Sequence, residues 1–312
     1  MRVIRHPRDL PASLRGGALA IGNFDGVHRG HRAVVAAAGR IAAAHGAPAL
    51  VVTFEPHPRA VFRPDDPAFR LTPRRAKFEL FGALGVAATV VFRFDRRFAA
   101  IEAPDFVRDV LFAGLGARHI VIGRDFHFGR GRAGTAELLR ELGQAAGVAV
   151  TAVAPVIDEA GQPYSSSRAR ELLRAGQPED AAQILGRPFA IAGHVRHGDH
   201  RGRLLGFPTA NLALGDHLRP RAGVYAVAAR LGDGAALTGV ANLGERPTVA
   251  GRDFRLEVHL FDFSGDLYGK RLDVALLHFI RPEQRFPDLD ALKRQIAADG
   301  VRARALLGVG AP

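Results

Sequence analysis

Short apolar segments alternate with helical patterns over the first half of the chain, and this alternation constrains the fold most. Segments typical of buried strands are rich in β-branched residues and occupy Leu19–Phe24, Leu50–Phe54, Thr89–Phe94, His119–Gly123 and Val148–Val153. Helical patterns fall between them, at Arg32–His45, Pro73–Leu84, Ala103–Leu115 and Thr135–Ala146. Because parallel strands need crossover connections and are buried on both faces, the pattern predicts a doubly wound α/β domain with a parallel sheet.

The second half of the chain has a different pattern. Strand-like segments separated by glycine-rich turns occupy Phe189–Val195, Gly223–Ala229, Leu237–Ala241, Leu256–Phe263 and Leu272–Phe279. Two short helical runs precede them, between Ser165 and about Leu185, and a helix over about Leu289–Leu307 follows. Closely spaced strands predict a small antiparallel β-barrel with a terminal helix. We therefore predict two domains, residues 1–186 and 187–312.

The composition narrows the classes of function. The chain has no cysteine, which excludes disulfides, thiolate catalysis and cysteine-based zinc sites. No stretch approaches the roughly 20 apolar residues of a membrane span, and the N-terminus lacks the apolar core of a signal peptide. We therefore expect a cytoplasmic protein without a membrane partner.

The formal net charge of +12 could indicate a nucleic-acid partner. The basic residues are mostly arginines, scattered along the chain, and lysine occurs only at Lys77, Lys270 and Lys293. No long basic run with interleaved aromatic residues is present. We expect the positive field to favour anionic small molecules, and we expect no nucleic-acid partner.

The segment Gly22–His31, GNFDGVHRGH, joins the first predicted strand to the first helix. His28 and His31 are three residues apart and share one face of the helix start. A helix N-terminus has free backbone N–H groups and positive potential, which suit a phosphate group. Alternatives are a solvated helix start with incidental histidines, or a metal site formed by His28, His31 and Asp25.

His28-Arg29-Gly30-His31 resembles the HxGH motif of the nucleotidyltransferase superfamily. The resemblance implies a Rossmann-like domain in which both histidines contact nucleotide phosphates and stabilise the charge that develops at the attacked α-phosphorus. It also implies that Asn23 and Asp25, in the same turn, belong to the ATP site.

Further segments resemble bacterial FAD synthetases. Ser165–Arg170, SSSRAR, resembles their Ser-Ser-Thr-x-x-Arg stretch, with Ser167 in place of the usual threonine. This implies that Ser166, Ser167 and Arg170 bind ATP phosphates, although helix capping alone would also explain the serines. The segments around Phe54–Pro58 and Gly123–Gly129 also resemble the family. They supply the flavin-binding candidates Phe54, His57, Asp125 and Phe128.

A second motif, Gly-Phe-Pro-Thr-Ala-Asn, ends at Asn211. It could be a glycine-rich hairpin with a proline turn. Thr209 and Asn211, however, offer two neutral oxygen ligands of the kind that Mg²⁺ accepts beside substrate phosphates. The motif closely resembles that of the riboflavin kinase domain, which implies that Gly198, Arg203, Thr209 and Asn211 bind ATP and that Thr209 and Asn211 hold the metal.

The same resemblance implies that Glu257 is the general base for the ribityl 5′-hydroxyl of riboflavin, and that Arg281 and Phe286 contact the flavin. Without it, an outward-facing glutamate on a barrel strand would be the preferred interpretation of Glu257.

The resemblance covers nearly the whole chain and implies a bifunctional enzyme of the prokaryotic FAD synthetase family. The C-terminal domain would convert riboflavin and ATP to FMN, and the N-terminal domain would transfer AMP from ATP to FMN, giving FAD and pyrophosphate with Mg²⁺ at both steps. Rival interpretations are a nucleotidyltransferase for another acceptor and a flavin-sensing or nucleic-acid-binding protein that reuses the fold.

Overall fold

The computed structural model describes residues 1–197, 206–232, 234–248 and 251–309, and within them all side chains except those of residues 8, 246–248 and 251–253. The chain divides into two compact units. Unit 1 contains Met1–Pro67 and Thr72–Ser165, and unit 2 contains Ala68–Leu71 and Ser166–Pro312. Over the described parts of the chain, no helix is both long enough and apolar enough to cross a membrane.

The described strands of unit 1 form one six-stranded parallel sheet. They are β1 (Arg2–Ile4), β2 (Ala18–Ile21), β3 (Ala49–Glu55), β4 (Ala88–Arg93), β5 (His119–Gly123) and β6 (Ala149–Val153). Their order is β1-β4-β3-β2-β5-β6, so the chain winds outwards from β2 in both directions. This confirms the predicted α/β domain and adds the edge strand β1, which the sequence patterns did not predict.

Helices connect these strands. They are α1 (Arg29–Ala44), α2 (Pro58–Phe62), α3 (Arg74–Ala83), α4 (Arg96–Ala99), α5 (Ala103–Asp105) and α6 (Ala136–Ala146). Short 3₁₀ turns occur at Pro7–Asp9, Ala12–Leu14 and Arg130–Arg132. The helix predicted over Ala103–Leu115 forms as α5 followed directly by a π-helix over Phe106–Gly114.

Hydrophobic clusters cover both faces of the parallel sheet. Alternate residues of β2 point to opposite faces, so Leu19 and Ile21 join one cluster while Ala18 and Ala20 join the other. Residues of α1 and α3 complete the cluster around Ala18 and Ala20. Residues of the π-helix and α6 complete the cluster around Leu19 and Ile21. The layers are therefore helix, sheet and helix, as a doubly wound domain requires.

Unit 2 begins with two helices and continues as an antiparallel sheet. Its elements are α7 (Ser166–Ala175), α8 (Pro178–Leu185), β7 (Phe189–His194), β8 (Ala210–Ala213), β9 (Gly223–Leu231), β10 (Ala236–Thr248), β11 (Gly251–Leu260), β12 (Arg271–Arg281) and α9 (Leu289–Leu307). Among the described residues the order is β7-β12-β9-β10-β11-β8. Just past β7, the Arg196 N–H donates to the Asn211 carbonyl in β8 (2.9 Å), which links the two edges of the sheet. The predicted antiparallel barrel with a terminal helix is confirmed.

A four-residue segment from the N-terminal part of the sequence belongs to unit 2. Arg70 pairs in parallel with His217: its N–H donates to the Asp216 carbonyl, and its carbonyl accepts from Leu218. Phe69, Arg70 and Leu71 are buried. Ala68–Leu71, α7 and α8 therefore belong to the same compact unit as the barrel. The domain boundary between residues 186 and 187 stays a prediction.

Candidate active sites

The turn between β2 and α1 has an uncommon backbone. Phe24 and Val27 have φ angles of 51° and 41°, and Gly26 has a φ of 90°. Non-glycine residues in this left-handed region each cost on the order of 1–3 kcal/mol and persist only where the surroundings hold them. Contacts from neighbouring segments must therefore hold this turn in place.

Thr72 holds the middle of the turn. The buried Asp25 carboxylate accepts the Thr72 N–H at 3.0 Å, and the Thr72 hydroxyl oxygen accepts the Gly26 N–H at 2.9 Å. The two bonds run in opposite directions between the same segments. They fasten the turn to the chain just before α3.

His28 is the N-cap of α1. Its Nδ1 accepts the His31 N–H at 3.3 Å, so the proton of the neutral His28 ring is on Nε2. The two imidazole rings stack with centroids 3.6 Å apart, and Phe24 packs edge-on against His31 at 5.3 Å. A Cβ at Gly30 would lie 3.1 Å from the His28 ring and 3.3 Å from the Tyr164 carbonyl, so a glycine at this position suits the stack.

Beneath the turn lies a buried ion pair. The Lys77 side chain is 1% exposed, and its ammonium group lies 2.7 Å from the Glu55 carboxylate. The Lys77 Nζ also donates to the Asn23 carbonyl at 3.2 Å, and the Thr53 hydroxyl donates to the same oxygen at 3.3 Å. The backbone of Asn23, at the start of the motif turn, is therefore held from β3 and α3 together.

The flavin-binding candidates of unit 1 lie in or beside a cluster of phenylalanines. Phe54 and Phe128 are buried, and both rings contact Phe106, with centroids 6.4 and 5.6 Å away. At the exposed end of the cluster, Phe62 is 57% exposed and lies edge-on to Phe94 at 5.8 Å.

The other two flavin-binding candidates of unit 1 are polar. His57 is the N-cap of α2, and its Nδ1 accepts the Arg59 N–H. Asp125 is exposed, and its carbonyl accepts a hydrogen bond from His127 Nδ1 at 2.9 Å.

In unit 2, Asn211 of β8 is paired directly with Glu257 of β11. Their neighbours Leu212 and Leu256 are fully buried, so Asn211 and Glu257 share the other face of this strand pair. A depression at Asn211 is lined by Arg196, His197, Ala213 and Arg255 together with Leu212. Its cationic lining suits an anionic ligand.

Thr209 and Asn211 follow a segment tied to β11. His259 Nδ1 donates to the Pro208 carbonyl at 2.9 Å, and Phe207 packs edge-on against the His259 ring at 5.6 Å. The residues before Thr209 are thus fixed to the strand that carries Glu257. The candidates Gly198 and Arg203 lie outside the described residues.

Arg281, the last residue of β12, connects this strand to the terminal helix. Its guanidinium forms a bidentate ion pair with the buried Asp299 of α9, with a shortest distance of 2.7 Å. It also lies over the Phe286 ring at 5.8 Å. Both flavin-binding candidates of unit 2 therefore lie where the terminal helix joins the barrel.

Comparison with known proteins decides between the rival interpretations. A family model described as FAD synthetase matches residues 10–168, and one described as riboflavin kinase matches residues 185–307. The bifunctional riboflavin kinase/FMN adenylyltransferase of Escherichia coli (strain K12) is 44% identical, with all of both chains covered. The chain belongs to the bifunctional riboflavin kinase/FMN adenylyltransferase family.

Other members of this family match over almost their whole length. The protein of the same name from Pseudomonas fluorescens is 44% identical, with 98% of each chain covered, and that from Haemophilus influenzae is 40% identical. A crystal structure described as a macrolide-efflux protein from Streptococcus pneumoniae is similar, with a TM-score of 0.85 and 31% identity over 95% of this chain and 96% of that one.

The structure brings some predicted site residues of this family member together. Asn23, Asp25, His28 and His31 share one turn and helix start in unit 1, and Asn211 and Glu257 share one strand pair in unit 2. Within the described residues, no group of three or more His, Asp or Glu side chains is arranged to hold a metal ion.

Ser166, Ser167 and Arg170 lie on the first turns of α7 in unit 2. The Arg170 Nε donates to the Phe69 carbonyl at 2.9 Å, and the guanidinium lies over the Phe69 ring. Their grouping with His28 and His31 in one ATP site stays a prediction.

Sequence reasoning missed Thr72 and Lys77, which hold the motif turn. A signal for Lys77 was present, because it lies four residues before Phe81 and therefore shares the buried face of α3. A lysine at such a position usually has a buried anionic partner. No comparable signal distinguished Thr72.

Proposed function

We propose that this chain catalyses two successive reactions: phosphorylation of riboflavin by ATP to give FMN, and transfer of AMP from a second ATP to FMN to give FAD and pyrophosphate. The supporting observation is that matches to FAD synthetase and riboflavin kinase occupy separate halves of one chain whose relatives carry both names over their full length. A nucleotidyltransferase for another acceptor would not require the kinase half.

In the adenylyl transfer, a phosphate oxygen of FMN attacks the α-phosphorus of ATP. A new P–O bond forms, the bond to the α–β bridging oxygen breaks, and pyrophosphate leaves with the electron pair. We assign His28 and His31, with the positive potential at the start of α1, to stabilise the charge that develops at the α-phosphate. Because the His28 Nδ1 accepts the helix-cap bond, we assign its Nε2–H as the donor to a phosphate oxygen. Asn23, Asp25, Ser166, Ser167 and Arg170 are proposed to hold the ATP.

In the kinase reaction, the ribityl 5′-oxygen attacks the γ-phosphorus of ATP and ADP leaves. Glu257 takes the hydroxyl proton as the new P–O bond forms. The position of Glu257 opposite Asn211, beside the cationic depression, supports this role. Gly198, Arg203, Thr209 and Asn211 are proposed to bind the ATP. Positioning and charge neutralisation supply most of the rate in phosphoryl transfer.

The proposed Mg²⁺ ligands are Thr209 and Asn211. Their hydroxyl and amide oxygens are hard, neutral donors of the type that Mg²⁺ prefers, and they leave coordination positions for phosphate and water. Bound there, the ion would neutralise the ATP phosphates. The pairing of Asn211 with Glu257 across the strand register supports a metal site beside the proposed base.

For the flavin, the proposed contacts in unit 1 are Phe54, His57, Asp125 and Phe128, and those in unit 2 are Arg281 and Phe286. Phe54 and Phe128 are buried. We therefore expect them to pack beneath an aromatic surface that contacts the flavin ring, and not to cover that ring by themselves. The exposed Phe62 offers such a surface at the edge of the cluster.

The test is incubation of the full chain with riboflavin, ATP and Mg²⁺, with flavins separated by chromatography. We expect FMN to appear first and FAD to follow, with one pyrophosphate released per FAD. Starting from FMN, the chain should give FAD directly. Recovery of unchanged riboflavin and FMN from folded protein would contradict the proposal.

A further inference from the structure

The buried ion pair between Lys77 and Glu55 is not among the residues assigned to the two reactions. A buried charge pair contributes little net stability, because desolvation offsets most of the attraction. The Lys77 ammonium, however, also reaches the Asn23 carbonyl at 3.2 Å. Asn23 begins the turn that ends at the histidine cap, so this bond connects the pair to the HxGH site.

The geometry points to a positioning role. We propose that Lys77, held by Glu55, is a positioning residue for adenylyl transfer: its bond to the Asn23 carbonyl fixes the start of the motif turn and thereby the places of His28 and His31. This inference rests on the proposed adenylyltransferase function.

The turn is held at two places, by Thr72 just before α3 and by Lys77 within α3. Thr72 bonds to Asp25 and Gly26 in the middle of the turn, while Lys77 bonds to Asn23 at its start. Between these anchors lies Phe24, in the left-handed region and packed edge-on against the His31 ring. If the Asn23 anchor is lost, Phe24 can relax, and the ring packed against it moves.

The third member of the network is Thr53, on the same face of β3 as Glu55. Its hydroxyl donates to the Asn23 carbonyl and lies 3.4 Å from the Lys77 Nζ. The hydroxyl bond to the Asn23 carbonyl is between neutral groups, and it does not depend on the Lys77 side chain. We therefore expect substitution of Lys77 to displace the turn without unfolding it.

The experiment compares Lys77→Met with Lys77→Met/Glu55→Gln in the full chain, following FAD formation from FMN, FMN formation from riboflavin, and thermal unfolding. Lys77→Met removes the cation beside the buried Glu55 carboxylate and should lower the unfolding temperature. The double variant removes both charges and should recover most of that loss. If Lys77 acts by positioning, the kcat for FAD formation should stay about 10- to 100-fold low in both variants, with KM for FMN changed less than about twofold.

The controls separate positioning from stability. Lys77→Arg keeps a cation and its donors, and should retain more adenylyl transfer than Lys77→Met at equal FMN saturation. Arg75→Met removes an exposed ion pair with Glu79 on the same helix and should change neither activity. FMN formation in unit 2 should be unchanged in every variant.

A double variant with near-normal kcat for FAD formation would overturn the proposal, as would a rise in KM without a fall in kcat. Failure of the proposed function is a distinct result, since the unsubstituted chain would then make no FAD from FMN.

Discussion

Glu257 on β11 and Asn211 on β8 are directly opposite each other in an antiparallel register. Directly opposed residues on one face have Cβ atoms about 4.5–5.5 Å apart, close enough for both side chains to contact one substrate. The strand register, rather than a flexible loop, therefore sets the spacing between the proposed base and a proposed metal ligand.

Glu257→Gln should lower FMN formation by about 10²- to 10⁴-fold, because the amide cannot accept the hydroxyl proton. FAD formation from added FMN should be unchanged, because the adenylyl site is assigned to other residues. The two steps are measured separately, with riboflavin or FMN as the starting flavin. Loss of both activities in a folded variant would contradict separate sites.

His28→Ala/His31→Ala should make FMN accumulate from riboflavin with little FAD. Removing one such stabilising donor costs about 10²- to 10³-fold in kcat. The matched control is His45→Ala, at the other end of α1, where the residue is exposed and caps the helix C-terminus through its backbone N–H, which the substitution keeps. Normal FAD formation by the double variant would show that the assigned role is wrong.

Thr209→Val removes a proposed Mg²⁺ ligand while keeping the shape of the side chain. We expect the Mg²⁺ concentration for half-maximal FMN formation to rise by about tenfold, equivalent to about 1.4 kcal/mol of binding. The Mg²⁺ dependence of FAD formation should stay the same. An unchanged Mg²⁺ titration of the kinase step would remove Thr209 from the ligand set.

Arg281→Met should destabilise the barrel by about 3–5 kcal/mol, because it leaves the Asp299 carboxylate buried without its bidentate partner. Chemical denaturation measures this, and Arg281→Met/Asp299→Leu should recover most of the loss. The double variant also tests the proposed flavin contact: a raised KM for riboflavin at restored stability supports it, and an unchanged KM assigns Arg281 to holding α9.

Acid should weaken unit 1 through His119. Burial, and secondarily the charge of His45, lower the pKa of His119 in the folded chain. The unfolded chain therefore binds this proton more readily, so stability falls as the pH drops below the unfolded pKa of about 6.5 and levels off below the folded pKa. His119→Gln should reduce this fall, as measured by denaturation at pH 7 and pH 5.5. An identical pH dependence in the variant would exclude His119 as the cause.

The strands of the parallel sheet were largely predictable because buried strands are short apolar runs. The predicted strand His119–Gly123, for example, has the same bounds as β5 in the structure. The strands β1 and β8 were not predicted, since one is a three-residue edge strand and the other is a four-residue strand that begins within the Thr209–Asn211 motif. The start of α1 was placed three residues late, because histidine is an uncommon N-cap and His28 serves as one here.

The anchors of the histidine turn depend on contacts between distant residues. Lys77 meets Asn23 across 54 residues, and Thr72 meets Asp25 across 47. Local periodicity carries no information about such pairings, so the sequence motifs indicated candidate site residues but not the contacts that hold their turn. The pairing of Asn211 with Glu257 was equally hidden, because it needs the strand register.

The pairing of Arg70 with His217 has a consequence for separating the two activities. A fragment that begins at Ser166 lacks Ala68–Leu71, so Asp216 and Leu218 lose the backbone partners that they have in the intact chain. No single cut in the polypeptide yields both units whole. Dissection of this enzyme by truncation therefore always removes part of one unit, whereas point substitutions leave both complete.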